Sequence, residues 1–66
     1  MHIHLNGEPT QVDGDTTVAE LLERKGYAGR RVAVEINQSI VPRSAHATQR
    51  VREGDRVEVV TAFGGG

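Results

Sequence analysis

The chain has 66 residues, 36% of them hydrophobic, with Phe63 and Tyr27 as its only aromatics. This bounds it to one domain with a thin aliphatic core, and domains below about 70 to 80 residues rarely draw more than about 3 to 5 kcal/mol from such a core. A charged fraction of 26% and a formal net charge of -1 argue against a basic nucleic-acid footprint or an acidic tail, and without cysteine there is no disulfide, thiolate metal site or side-chain persulfide.

No apolar run approaches the roughly 20 residues of a membrane span, and the opening MHIHLNGEP lacks the basic and apolar regions of a signal peptide. Cytoplasmic residence is therefore the expectation. The expected partner is another protein, with neither nucleic acid nor membrane involved.

Ile3 and Leu5 alternate with His2, His4 and Asn6, and Val12 continues a second alternating run beyond Asn6-Gly7. Asn-Gly between two such runs is the strongest short hairpin signal, so the chain opens with a β-hairpin. Pro9 lacks an amide donor, which predicts a second strand that is short or lies at an edge.

Thr17-Val18-Ala19-Glu20 predicts a capping box, in which the Thr17 hydroxyl and the Glu20 carboxylate satisfy amides at a helix start. Val18, Leu21 and Leu22 share one face of this helix, and Gly26 stops it after two to three turns. Tyr27 follows in a loop, its ring over the core edge and its hydroxyl in water. Val32, Val34 and Ile36 then alternate with Ala33, Glu35 and Asn37 in a third strand, followed by a turn around Gln38-Ser39.

Ile40 and Val41 form a short return strand ended by Pro42, and residues 43–50 are polar and irregular, with room for one helical turn. Glu53-Gly54-Asp55 is a turn before a final strand, in which Val57, Val59 and Thr61 face one way and Arg56, Glu58 and Val60 the other. Gly64, Gly65 and Gly66 carry no Cβ and hold no single conformation, which predicts a mobile tail after residue 62. The elements describe a small α+β domain over residues 1–62 and a flexible C-terminal tail over 63–66.

Several residues invite a sharper reading than their surroundings support. His2 and His4 share a strand face, yet two imidazoles without a cysteine or third ligand read as a solvated face, and no metal is expected. His46, in the polar stretch, is expected to titrate in solvent. Asp13, Asp15, Glu20 and Glu23 are accounted for by the helix dipole. On composition alone the terminal glycines fit a disordered end or a cloning scar equally well. Their position directly after a strand, with no serine, favours function.

The hairpin with Asn6-Gly7, the Thr17-Val18-Ala19-Glu20-Leu21-Leu22 helix start, the segment from Val34 through Asn37 to Val41-Pro42-Arg43, the Gly54-Asp55 turn and the terminal glycines resemble the thiazole-biosynthesis sulfur-carrier family over the whole chain. The resemblance implies a ubiquitin-like β-grasp fold, in which a mixed sheet wraps one helix. It also implies that the Gly66 carboxylate is adenylated by an E1-like adenylyltransferase using ATP and Mg²⁺. Sulfur from a cysteine desulfurase or another donor then makes it a thiocarboxylate, which is presented to thiazole synthase in thiamine biosynthesis.

In that role the chain has no catalytic residues and binds no cofactor; it is a protein substrate. Gly64 and Gly65 are its access arm, because a tail without Cβ atoms threads a narrow channel while the body stays outside. Ordering that tail costs about 1 to 2 kcal/mol per residue, so the body must supply contacts, and Val60 and Phe63 are the candidates. Phe63 closing the core is an alternative of nearly equal weight. A molybdopterin-type sulfur carrier, a ubiquitin-like protein modifier and a non-covalent binding module remain open as alternative functions.

Overall fold

The computed structural model describes residues 1–61. Their elements are β1 (His2–Leu5), β2 (Glu8–Gln11), α1 (Val18–Arg24), β3 (Val32–Ile36), β4 (Ser39–Val41), a 3₁₀ turn (Arg43–Ala45) and β5 (Arg56–Thr61). The strands form one mixed sheet in the order β2-β1-β5-β3-β4. β1 runs parallel to β5, and the other neighbours are antiparallel. One face of this sheet closes on α1, as the β-grasp arrangement requires.

The hairpins follow from backbone chemistry. Asn6 and Gly7 both take positive φ (51° and 84°), the geometry of a tight turn that matches strand twist. Between β3 and β4 the same geometry falls on Asn37 and Gln38 (51° and 72°), one residue earlier than the turn expected around Gln38-Ser39. The shift follows from Asn37, whose amide side chain is tied to the neighbouring strand and holds that residue in the left-handed region. Pro9 lies in β2, at the sheet edge. Beyond that strand, Met1 and Val12 still exchange backbone hydrogen bonds and Val12 is buried.

The capping box is present: Glu20 N–H donates to Thr17 Oγ1 (3.1 Å), and Thr17 N–H donates to Glu20 Oε1 (2.9 Å). Two further first-turn amides are met from a distance. Val18 N–H donates to the Gln49 carbonyl (2.8 Å) and Ala19 N–H to the His46 carbonyl (2.9 Å). The polar stretch before Val51 thus supplies carbonyl partners for a helix start that would otherwise leave its amides unsatisfied. This also corrects the solvent-exposed placement of His46. The 3₁₀ turn folds it beneath the helix start, where it is 9% exposed with Nε2 3.2 Å from the Val41 carbonyl oxygen.

The core joins Ile3, Leu5 and Val12 to Val18, Leu21 and Leu22 of the helix and to Val34, Ile36, Val41, Val51, Val57 and Val59. Tyr27 packs at its edge, with its hydroxyl accepting from Asn6 Nδ2 at 3.5 Å. The side chains of this core cluster are aliphatic, so between the helix face and the sheet it is apolar contact area that holds them together. Leu21 is almost wholly buried. Leu21→Ala should cost about 2 to 5 kcal/mol, comparable to the whole margin of so small a domain, and urea denaturation should show a substantial unfolded fraction already in buffer.

Glu20 offers a pH test. Its carboxyl is held below the ordinary glutamate value, first by the Thr17 backbone amide and then by the Thr17 hydroxyl. The folded state therefore favours the ionised form. That contribution is complete above the unfolded-state value of about 4.3 and is lost as pH falls through the lowered folded value. Glu20→Gln should be less stable than the parent at neutral pH, and the two thermal-denaturation curves should converge on acidification.

Candidate functional site

The strand that leads into the C-terminal glycines is the best anchored in the sheet. β5 lies at its centre, with Val57 and Val59 buried in the core and Arg56, Glu58 and Val60 on the outer face. Its register pairs all of Val32 to Ile36 with Thr61 to Val57 on one side, and His4 and Leu5 with Arg56 and Val57 on the other.

Two asparagine side chains extend this ladder. Asn6 Oδ1 accepts from Val59 N–H at 2.8 Å, and Asn37 Oδ1 accepts from Arg56 N–H at 3.0 Å. Asn37 Nδ2 in turn donates to Asp55 Oδ1 (3.1 Å), while Asp55 Oδ2 accepts from Arg52 N–H (2.8 Å). Each turn thus performs two tasks with one residue. It closes a hairpin at positive φ, and its amide oxygen satisfies a β5 donor that a substitution would orphan.

Of the residues singled out in the sequence, Val60 lies within the described part of the chain. It is 63% exposed on the outer face, two residues before Ala62. Phe63, Gly64, Gly65 and Gly66 lie outside the described residues, as does the expected boundary after residue 62. His2 and His4 are exposed on β1. Among the described residues no group of three or more His, Cys, Asp or Glu could hold a metal ion, and no helix is long and apolar enough to cross a membrane.

Sequence reasoning missed Ile40, which is 72% exposed and, with Val60, makes up the large hydrophobic surface exposed among the described residues. It also missed that Glu35 and Glu58 stand directly opposite each other on adjacent strands. The outward phase of both strands was legible in their alternation. Their neighbourhood was not, because nothing local states that β5 inserts beside β3.

The ThiS family model matches residues 3–66. The sulfur carrier protein ThiS of Escherichia coli (strain K12) is 36% identical over 66 residues, covering all of both chains. The crystal structure of a thiamine biosynthesis protein (ThiS) from Geobacter metallireducens superposes with a TM-score of 0.84 at 38% identity, again over all of both chains. A protein of Magnetococcus marinus named thiazole synthase is 44% identical over 66 residues, but the chain spans only 20% of that longer protein. With a family match over nearly its whole length, an end-to-end relative and the same fold, the chain belongs to the ThiS family.

Proposed function

We propose that this chain is a sulfur carrier of thiamine biosynthesis, acting as a protein substrate through the carboxylate of Gly66. The observation that carries this reading is the end-to-end match to a protein named sulfur carrier, at 36% identity with neither chain overhanging the other.

The chemistry suits a chain built this way. A C-terminal carboxyl has an ordinary pKa of about 3.3 to 3.7, so near pH 7 it is an anion, and its oxygen can attack the α-phosphorus of ATP with loss of pyrophosphate. The resulting acyl adenylate has a carbonyl open to a partner's persulfide, with AMP as the leaving group. That attack forms a C–S bond, and cleavage of the persulfide's own S–S bond by a second thiol of the partner leaves the thiocarboxylate on the chain and a disulfide on the partner. This chain has no cysteine, so the attacking sulfur must come from elsewhere. Mg²⁺ and charge stabilisation belong to the adenylyltransferase.

Within this reading the folded body is a handle. β5 fixes the point from which residues 62–66 depart, Gly64 and Gly65 give the carboxylate access to a narrow site, and Val60 and Phe63 contribute contact area. Thiazole synthase is the proposed acceptor, a role supported by relatives named thiazole synthase that contain a segment matching this whole chain. A cysteine desulfurase or another persulfide source is the proposed donor, and the cytoplasm, where ATP is available, is the proposed location.

Incubation with the thiazole-pathway activating enzyme, ATP, Mg²⁺ and a sulfur donor should raise the intact mass by the difference between one sulfur and one oxygen. Deleting Gly66 should abolish the change without altering the thermal unfolding midpoint. Modification by the molybdopterin-pathway activating enzyme alone would contradict the assignment, and so would function retained after the deletion.

A further inference from the structure

Two asparagines hold equivalent places in the fold and differ in one neighbour. Asn6 and Asn37 each open a two-residue hairpin turn at φ 51°. Each also gives its side-chain oxygen to an amide of β5, Asn6 to Val59 (2.8 Å) and Asn37 to Arg56 (3.0 Å). Asn6 is followed by Gly7, whereas Asn37 is followed by Gln38.

That difference is chemical. The side-chain carbonyl carbon of an asparagine is one ring closure away from the amide nitrogen of the next residue. A glycine there leaves that nitrogen unshielded by a Cβ and its backbone free to turn toward the attack. Gly7 stands in the open: nothing lies within 4 Å of where its Cβ would be, and among the described residues its amide has no hydrogen-bond acceptor.

We propose that Asn6-Gly7 is a site of self-modification by deamidation, held in check by the grip of Asn6 on β5. The Gly7 nitrogen, its proton passed to a solvent base, attacks Asn6 Cγ. The bond from Cγ to Nδ2 breaks, and the nitrogen takes up a proton and leaves as ammonia. Water then opens the five-membered imide. Cleavage between Cγ and the ring nitrogen restores the main chain with aspartate at position 6. Cleavage at the main-chain carbonyl instead routes the chain through the side chain as isoaspartate, one methylene longer. In sum an amide and water become a carboxylate and an ammonium ion, with nothing oxidised or reduced.

The fold sets both the rate and the fate of the products. To close the ring, the Asn6 side chain must turn from β5 to the Gly7 nitrogen, leaving Val59 N–H and the Tyr27 hydroxyl that Nδ2 reaches at 3.5 Å. The reaction therefore waits for the first hairpin turn to open locally. Aspartate keeps an acceptor oxygen for Val59 N–H, and its charge strengthens that bond. Isoaspartate lengthens the turn and leaves a donor of the central strand without its partner.

The intact chain, incubated at mildly alkaline pH both folded and in guanidinium chloride, tests this by peptide mapping of positions 6 and 37. In denaturant Asn6 should convert roughly tenfold or more faster than Asn37, whose attacking nitrogen belongs to a residue with a side chain. Folding should slow conversion of Asn6 by roughly tenfold or more, and the folded rate should rise with pH as the Gly7 amide is deprotonated. The isoaspartate form, isolated from the denatured sample and refolded, should melt about 5 °C or more below the parent, whereas Asn6→Asp should melt within about 3 °C of it.

An Asn6 that stays unconverted in denaturant, or is matched there by Asn37, would overturn the site. Equal rates in the folded and denatured chain would overturn its control by the fold. A midpoint for Asn6→Asp as low as that of the isoaspartate form would overturn the distinction between the two products.

Discussion

Strand β5 is hydrogen-bonded on both sides, to β1 in parallel and to β3 in antiparallel, and the rest of the molecule is arranged to hold it there. Its inward residues Val57 and Val59 meet the helix side of the core, and its outward residues Arg56, Glu58 and Val60 are exposed on the opposite face. Because central strands have no free edge, displacing β5 would break two ladders and open the core together. The constraint matters to function because reactivity is proposed to lie beyond the folded body. A rigid point of departure lets an enzyme bind the body and know where the carboxylate begins.

Holding β5 in place takes long-range contacts as well as strand pairing. The asparagines of two separate hairpin turns each satisfy one of its amides, and Asp55 just ahead of it gathers Asn37 and the Arg52 amide. The helix that covers the core has only seven residues, too short to persist by propensity alone. It is secured by its capping box and by carbonyls of His46 and Gln49, so the polar stretch before Val51 belongs to the helix start. Among the described residues no buried side-chain nitrogen or oxygen lacks a hydrogen-bond partner.

What was legible in the sequence was local. Asn6-Gly7 announced a hairpin, Thr17 and Glu20 a helix start, and the alternation of Val57 and Val59 with Arg56, Glu58 and Val60 assigned the two faces of β5. Each of these signals spans a few residues, within reach of one turn or one pleat. His46 was misplaced because its burial depends on a 3₁₀ turn folding it under a helix some 25 residues earlier in the chain, a contact with no local signature. The Glu35–Glu58 pair was invisible for the same reason: sheet order is a non-local property. The proposed reactive end was read from its glycines and from family resemblance, and it lies outside the described residues.

Under the proposed function the labour divides simply: the body provides recognition, the partners provide catalysis, and a single carboxylate carries the cargo. The most direct test is to locate the sulfur. After activation with ATP, Mg²⁺ and a sulfur donor, fragmentation mass spectrometry should place the whole mass change in the C-terminal fragment containing Gly66, leaving every fragment that ends before it unchanged. A sulfur located on any other residue, or an ATP-dependent modification that joins Gly66 to a lysine of another protein, would contradict the account.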